Sequence, residues 1–94
     1  MKTFTDLNFR AHPNQFGGVQ AVMEFDNGYG ISVVRTPHSY GGNKGLYEMA
    51  VLDKTGRVTY DTPITNDVLG YLTEDEVTEY MIEVQKLITY NLFK

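Results

Sequence analysis

The amino-acid sequence predicts an α+β fold, in which an antiparallel sheet of about four strands, made from two hairpins, carries one C-terminal helix on one face. Three observations predict it. Residues 19–25 alternate between apolar and polar side chains, Asp26-Asn27-Gly28 supplies hairpin-turn chemistry, and residues 73–88 repeat apolar side chains at three- and four-residue spacing. The 94 residues form a single α+β domain, 1–94, because a chain of this size buries only about two-thirds of its unfolded surface and cannot divide one core in two.

The N-terminal residues give a weaker pattern. Residues 2–9 alternate imperfectly and predict at most a short first strand. The cluster Ala11-His12-Pro13-Asn14 that follows is typical of a turn.

The first hairpin can form in two registers. A two-residue loop would place Phe25 opposite Gly30, whereas a three-residue loop with Gly28 left-handed would place Phe25 opposite Tyr29. The second register gathers the apolar residues of both strands on one face. We therefore favour the three-residue loop.

The second hairpin is predicted from residues 46–60. Residues 46–52 have mixed faces, as a central strand does, and Asp53-Lys54-Thr55-Gly56 has Asp and Gly at the first and fourth positions of a type I turn. Residues 57–60 are rich in β-formers and predict the return strand. Pro63 cannot donate to a ladder, so we interpret residues 61–70 as an irregular connection with one helical turn at 66–69.

The C-terminal helix has a well-marked start. Thr73 with Glu76 three residues later is a capping box, and Leu72 can pack onto Val77 across the first turn. One apolar stripe should lie across the sheet. Its members are Val77, Tyr80, Met81, Val84, Leu87 and Ile88.

Composition and charge exclude several classes of partner. Twelve acidic and eight basic residues give a net charge of −4, and the basic residues are scattered singly, which argues against nucleic-acid binding. No run approaches the roughly 18 apolar residues of a membrane span. There is no cysteine, and the sequence begins with polar residues, so we expect a cytoplasmic protein.

The longest polar segment, Thr36 to Gly45, is the leading candidate for a binding site because it is rich in glycine and long for a loop in a small domain. It lacks the spacing of a phosphate-binding loop, and Gly28-Tyr29-Gly30 matches only half of a dinucleotide motif. His12 and His38 are the only imidazoles, and neither has partners at metal-ligand spacing. No serine lies in a nucleophile elbow. We therefore predict no catalytic residue, no metal site and no cofactor.

Two surfaces are predicted to bind a partner. The first is the loop with its flank, where tyrosine supplies large, stiff contact area. Its candidate residues are Arg35, His38, Tyr40, Asn43 and Lys44. The second is an acidic flank of the helix, formed by Asp75, Glu79 and Glu83, which repel one another at four-residue spacing; a solvated helix surface is the alternative reading of the same three residues.

A further apolar line on the back of the helix contains Ile82, Thr89 and Phe93. It predicts either a frayed chain end or a homodimer contact through Ile82 and Phe93.

Several segments carry a resemblance. Asp26 to Arg35, Ser39 to Gly42, Gly45 to Glu48 and Tyr60 to Thr73 resemble small uncharacterised proteins encoded by tailed bacteriophages. The likeness covers most of the chain and assigns no residue a role. It implies an accessory protein that acts in the cytoplasm of a bacterial host cell, where such proteins often bind and block a host protein, including components of defence systems.

The sequence thus leads to two hypotheses. The first is a small acidic, non-enzymatic protein, phage-encoded, that binds and modulates or inhibits a host protein. The alternative is a module that sequesters a small anionic or nucleotide-type ligand, with the region from Arg35 to Lys44 allowing close backbone approach.

Overall fold

The computed structural model describes residues 1–14 and 16–88. It contains a five-stranded antiparallel sheet in which each strand pairs with its neighbour in the chain, followed by one α-helix. The α+β class is confirmed, with five strands where about four were predicted. The elements are β1 (Arg10–Ala11), β2 (Val19–Glu24), β3 (Gly30–Arg35), β4 (Tyr47–Leu52), β5 (Leu69–Leu72) and α1 (Glu74–Gln85), with 3-10 turns at Phe4–Asp6 and Gly42–Lys44.

The β2–β3 hairpin has the three-residue loop. Ala21 lies opposite Val33 in the ladder, and the Phe25 N–H donates to the Tyr29 carbonyl at 2.8 Å. Gly28 has a φ of 91°, in the left-handed region. The register chosen for its single apolar face is confirmed.

The second hairpin was predicted only in part. The turn forms, since the Gly56 N–H donates to the Asp53 carbonyl at 3.0 Å, and the Thr55 hydroxyl bonded to the Asp53 carboxylate lowers the pKa of that carboxyl. The return segment pairs only briefly, through the Leu52–Val58 bridge and a hydrogen bond from the Thr59 N–H to the Val51 carbonyl at 2.8 Å, and residues 57–60 form no regular strand. The strand that completes the sheet is β5, whose first two residues, Leu69 and Gly70, lie in the segment predicted as an irregular connection.

A β-bulge explains why β5 was not predicted from the alternation of apolar and polar residues. Tyr47 pairs with Leu72 and Met49 pairs with Leu69, so two residues of β5 oppose the single residue between them on β4. The extra residue shifts the alternation of side chains by one position within a strand of only four residues. The helical turn expected at residues 66–69 does not form, and Leu69 already belongs to β5.

The core lies between α1 and one face of the sheet. Thr73 and Glu76 form the predicted capping box, with the Thr73 hydroxyl accepting the Glu76 N–H at 3.2 Å. The N-terminal segment also packs on this face, where Phe4 and Phe9 contact Tyr47. Side chains that are almost fully buried are Ile31, Val33, Met49, Val51, Val77, Met81 and Val84.

Ile88 does not belong to the core stripe. It is 60% exposed because α1 ends at Gln85 and the chain has left the helical path before it. The apolar stripe therefore stops at Leu87, which packs partly against the core.

Asn27 ties the first hairpin to the end of the helix. Its side chain is 9% exposed, and its Nδ2 donates to the carbonyls of Val84 at 2.8 Å and Leu87 at 3.2 Å. Its Oδ1 accepts the Tyr29 N–H at 3.1 Å. The Val84 carbonyl also accepts the Leu87 N–H at 3.1 Å, so Asn27 adds a second donor there. The same side chain thus contacts the end of the helix and shapes the turn of the hairpin.

Replacing Asn27 with Ala should lower the free energy of unfolding by about 1–3 kcal/mol, because a buried amide that bonds to the carbonyls of Val84 and Leu87 and to the Tyr29 N–H is removed. Chemical denaturation of the two proteins measures the difference. Asn66→Ala serves as the control, since Asn66 is exposed, and it should change stability by less than about 0.5 kcal/mol. Equal effects of the two substitutions would contradict the role given to Asn27.

Candidate functional site

The loop between β3 and β4 is closed by reciprocal hydrogen bonds between Thr36 and Ser39. The Thr36 N–H donates to the Ser39 hydroxyl at 2.9 Å, and the Ser39 N–H donates to the Thr36 hydroxyl at 3.0 Å. The Ser39 hydroxyl in turn donates to the Thr36 carbonyl at 3.1 Å. Thr36 is only 7% exposed, so the base of the loop is shielded from water that would compete for these bonds.

Two glycines allow the loop to fold back on its own base and on the sheet. A methyl group on Gly42 would overlap the carbonyl oxygen of Thr36. Gly41 has a φ of 88°, and a Cβ there would lie 2.9 Å from the Cα of Tyr71. Both glycines are therefore required by contacts inside the protein.

The loop rests on the bulge of β5. The Tyr71 N–H donates to the Tyr40 carbonyl at 3.1 Å, and the Tyr40 N–H donates to the carboxylate of Glu48 on β4 at 3.0 Å. Tyr71 has a φ of 57° and is the one non-glycine residue with a positive φ among those that the structure describes. Strained backbone of this kind persists only where the surroundings hold it, and it clusters at functional sites.

Aromatic side chains project from this region into solvent. Tyr40 is 58% exposed and Tyr71 is 54% exposed, and the Lys44 ammonium lies 5.8 Å from the centre of the Tyr71 ring. Phe16, from the β1–β2 connection, is 56% exposed and makes an edge contact with the His38 ring at 4.6 Å between centroids. We call these five residues, Phe16, His38, Tyr40, Lys44 and Tyr71, the loop surface.

A small cavity of about 220 Å³ opens within the loop surface. Lys44 and Tyr71 form part of its wall, together with Ser39, Gly41 and Asn43 from the loop. The cavity is smaller than the roughly 300 Å³ at which pockets for small molecules begin.

Three of the predicted loop residues lie on the loop surface, namely His38, Tyr40 and Lys44. Asn43 supports the loop, since its Nδ2 donates to the Pro37 carbonyl at 3.3 Å, and it also lines the cavity. Arg35 is exposed beside the loop, and its guanidinium lies 5.2 Å from the centre of the Tyr47 ring and donates to the Tyr47 hydroxyl at 3.4 Å. It extends the aromatic cluster of the core.

Two members of the loop surface were missing from the predicted site. Tyr71 lies 27 residues from Lys44 in the chain, and the bulge that brings it to the loop left no recognisable pattern in the sequence. Phe16 precedes Gly17-Gly18, and an aromatic side chain beside two glycines in a polar connection was a signal that could have been used.

The acidic flank is a separate surface. Asp75, Glu79 and Glu83 are all exposed on α1. Among the described residues, no hydrogen bond or ion pair joins their carboxylates to the loop surface. They stand as the rival binding surface predicted from the sequence.

The homodimer contact remains a prediction. Ile82 is half-buried on α1, which leaves part of its side chain accessible. Phe93 lies outside the described residues.

In 1–14 and 16–88, no group of three or more His, Cys, Asp or Glu side chains is arranged to hold a metal ion. The same residues include no helix with the length and apolar character that crossing a bilayer requires.

Searches against protein-family models, curated protein sequences and solved structures found no match to this chain. The arrangement of the residues themselves is therefore the basis for a functional proposal.

Most amide groups of the loop are occupied by bonds inside the protein. An anion cradle needs several free N–H groups that point at one place. Here the amides already donate to acceptors in the loop or on β4, which removes them from such a cradle. They belong to His38, Ser39, Tyr40, Gly42, Lys44, Gly45 and Leu46.

Substitutions at Tyr71 test the strained backbone. Val is normally preferred over Gly in a strand, but a β-branched residue tolerates a positive φ poorly. We expect Tyr71→Val to be less stable than Tyr71→Gly by about 1 kcal/mol or more in chemical denaturation.

Val22 on β2 provides the matched control, because it is also exposed and lies in a regular strand position. At this position Val should be more stable than Gly, as is usual in a strand, so Val22→Gly should lower the free energy of unfolding. If Tyr71→Val were more stable than Tyr71→Gly, the left-handed conformation of Tyr71 would be refuted.

Proposed function

We propose that the protein is a small acidic, non-enzymatic binding protein, encoded by a phage, that binds and modulates or inhibits a host protein such as a component of a defence system. The observation that carries this proposal is the loop surface. Three large aromatic side chains, Phe16, Tyr40 and Tyr71, are each more than half exposed on backbone that is hydrogen-bonded to the sheet or its connections.

Exposed aromatic residues on held backbone suit protein recognition. Tyrosine is enriched among the few residues that contribute most of the binding energy at interfaces, because it buries much area and keeps a polar tip. Binding by a preformed loop also avoids the entropy cost of ordering it. Single exposed apolar residues are common, but the convergence of Tyr40 and Tyr71 through a backbone hydrogen bond is specific to this region.

The small-ligand alternative has less support. Gly41 and Gly42, which suggested close approach of an anion, are explained by Tyr71 and Thr36 of the protein itself. The loop amides are largely occupied, and the cavity is smaller than typical ligand pockets. Each of these points favours a protein partner that lies across the loop.

The resemblance to tailed-phage proteins supports the proposal that a phage encodes this protein. The segments that carry it include Tyr40, in Ser39 to Gly42, and Tyr71, in Tyr60 to Thr73. The two tyrosines of the loop surface thus belong to the part of the chain on which the resemblance rests.

Affinity capture from bacterial lysate tests the proposal. The tagged protein should retain a specific host protein, and Tyr40→Ser should reduce the amount retained by at least about tenfold, as expected for a residue whose loss costs more than about 1.4 kcal/mol. Tyr60→Ser is the control, because Tyr60 is 50% exposed and follows the turn at the opposite end of β4. It should retain the wild-type amount.

A second variant distinguishes binding at the loop surface from binding at the acidic flank. Glu79→Lys combined with Glu83→Lys should leave capture unchanged if the loop surface is the binding site. Loss of the partner in this variant, with full retention by Tyr40→Ser, would move the site to the acidic flank. No specific partner, together with unchanged host defence when the protein is expressed, would overturn the proposal itself.

A further inference from the structure

We infer that the cavity within the loop surface accepts one acidic side chain, Asp or Glu, of the partner protein; this inference rests on the binding function proposed above. The juxtaposition that carries it is the Lys44 ammonium beside the Tyr71 ring at the wall of a cavity of about 220 Å³. The cavity wall presents one cation, polar groups and the face of an aromatic ring.

The charge at the cavity is uncompensated. Among the described residues, no carboxylate lies within ion-pair distance of the Lys44 ammonium. Glu48, the acid closest to the loop in the ladder, already accepts the Tyr40 N–H through its carboxylate. A cation left without a partner at the edge of a cavity attracts an anion, and the attraction is stronger where the cavity displaces water.

The Tyr71 ring holds the cation in place. The contact of 5.8 Å between the Lys44 ammonium and the ring centre is within the range of a cation–π interaction. A lysine oriented in this way loses less side-chain entropy when it binds a carboxylate. Tyr71 therefore has two roles, one as exposed contact area and one as the support for Lys44.

The size of the cavity selects a single side chain. Its volume is below that of pockets for drug-sized molecules, so it matches the end of one side chain better than a free metabolite. The methylene stem of a glutamate could lie along the Tyr71 ring while its carboxylate reaches Lys44. Asn43 gives one of its two amide N–H donors to the Pro37 carbonyl, and Lys44 is the one charged residue of the cavity lining, so Lys44 is the main source of selectivity.

The exposure of the Lys44 side chain limits the strength of binding. An exposed ion pair of this type changes affinity only about two- to fivefold.

NMR titration of the full chain tests the inference with defined probes. N-acetylglutamate N-methylamide presents one side-chain carboxylate, N-acetylglutamine N-methylamide is its neutral match, and inorganic phosphate is the competing anion. We expect the glutamate probe to shift the amide signals of Asn43, Lys44 and Tyr71 and to bind about two- to fivefold more tightly than the glutamine probe. Phosphate should bind no better than the glutamate probe.

Variants complete the test. Lys44→Met keeps the side-chain stem and should bind the glutamate and glutamine probes with equal affinity. Lys86→Met, which changes an exposed lysine after α1, should keep the wild-type preference for the glutamate probe. Equal binding of the two probes by the wild-type protein, tighter binding of phosphate, or an unchanged preference in Lys44→Met would each overturn the inference. If the titration gave one of these results while capture of a host protein still depended on Tyr40, the proposed function would stand without the carboxylate site. If the wild-type protein captured no host protein, the proposed function and this inference would both be overturned.

Discussion

The contact between the Tyr40-Gly41 peptide and the backbone of β5 is the constraint on which the functional region depends. The Tyr71 N–H bonds to the Tyr40 carbonyl, and Gly41 approaches the Tyr71 Cα closely enough to exclude a side chain. Both require the bulge that gives Tyr71 a positive φ. Without this contact the loop would be a polar connection in water, and its tyrosine would have no fixed relation to Lys44 or to the sheet.

Two contacts of α1 provide the support for the loop surface. Asn27 joins the first hairpin to the last carbonyls of α1, and the capping box at Thr73 fixes the first turn of the same helix. Since Thr73 directly follows β5, the helix start limits the movement of the strand that carries Tyr71. The core thereby stabilises a strained conformation that local preferences disfavour, which is a common relation between scaffold and functional site.

Local patterns predicted the parts of the fold that local chemistry controls. The register of the first hairpin followed from placing apolar residues on one face, and the helix start followed from Thr73 and Glu76. Strand β5 could not be found in this way because its bulge breaks the alternation within four residues. The same break concealed Tyr71 as a site residue, and no pattern in the sequence indicates that the Arg35 guanidinium stacks on the Tyr47 ring.

The loop is held on the sheet in the free protein, and amide hydrogen exchange at Tyr40 and Tyr71 tests this most directly. Their N–H groups donate to Glu48 and to the Tyr40 carbonyl, so they should exchange far more slowly than unstructured peptide, as amides held in cooperatively opening units do. Exchange of both amides at the rate of an unstructured peptide would contradict the account.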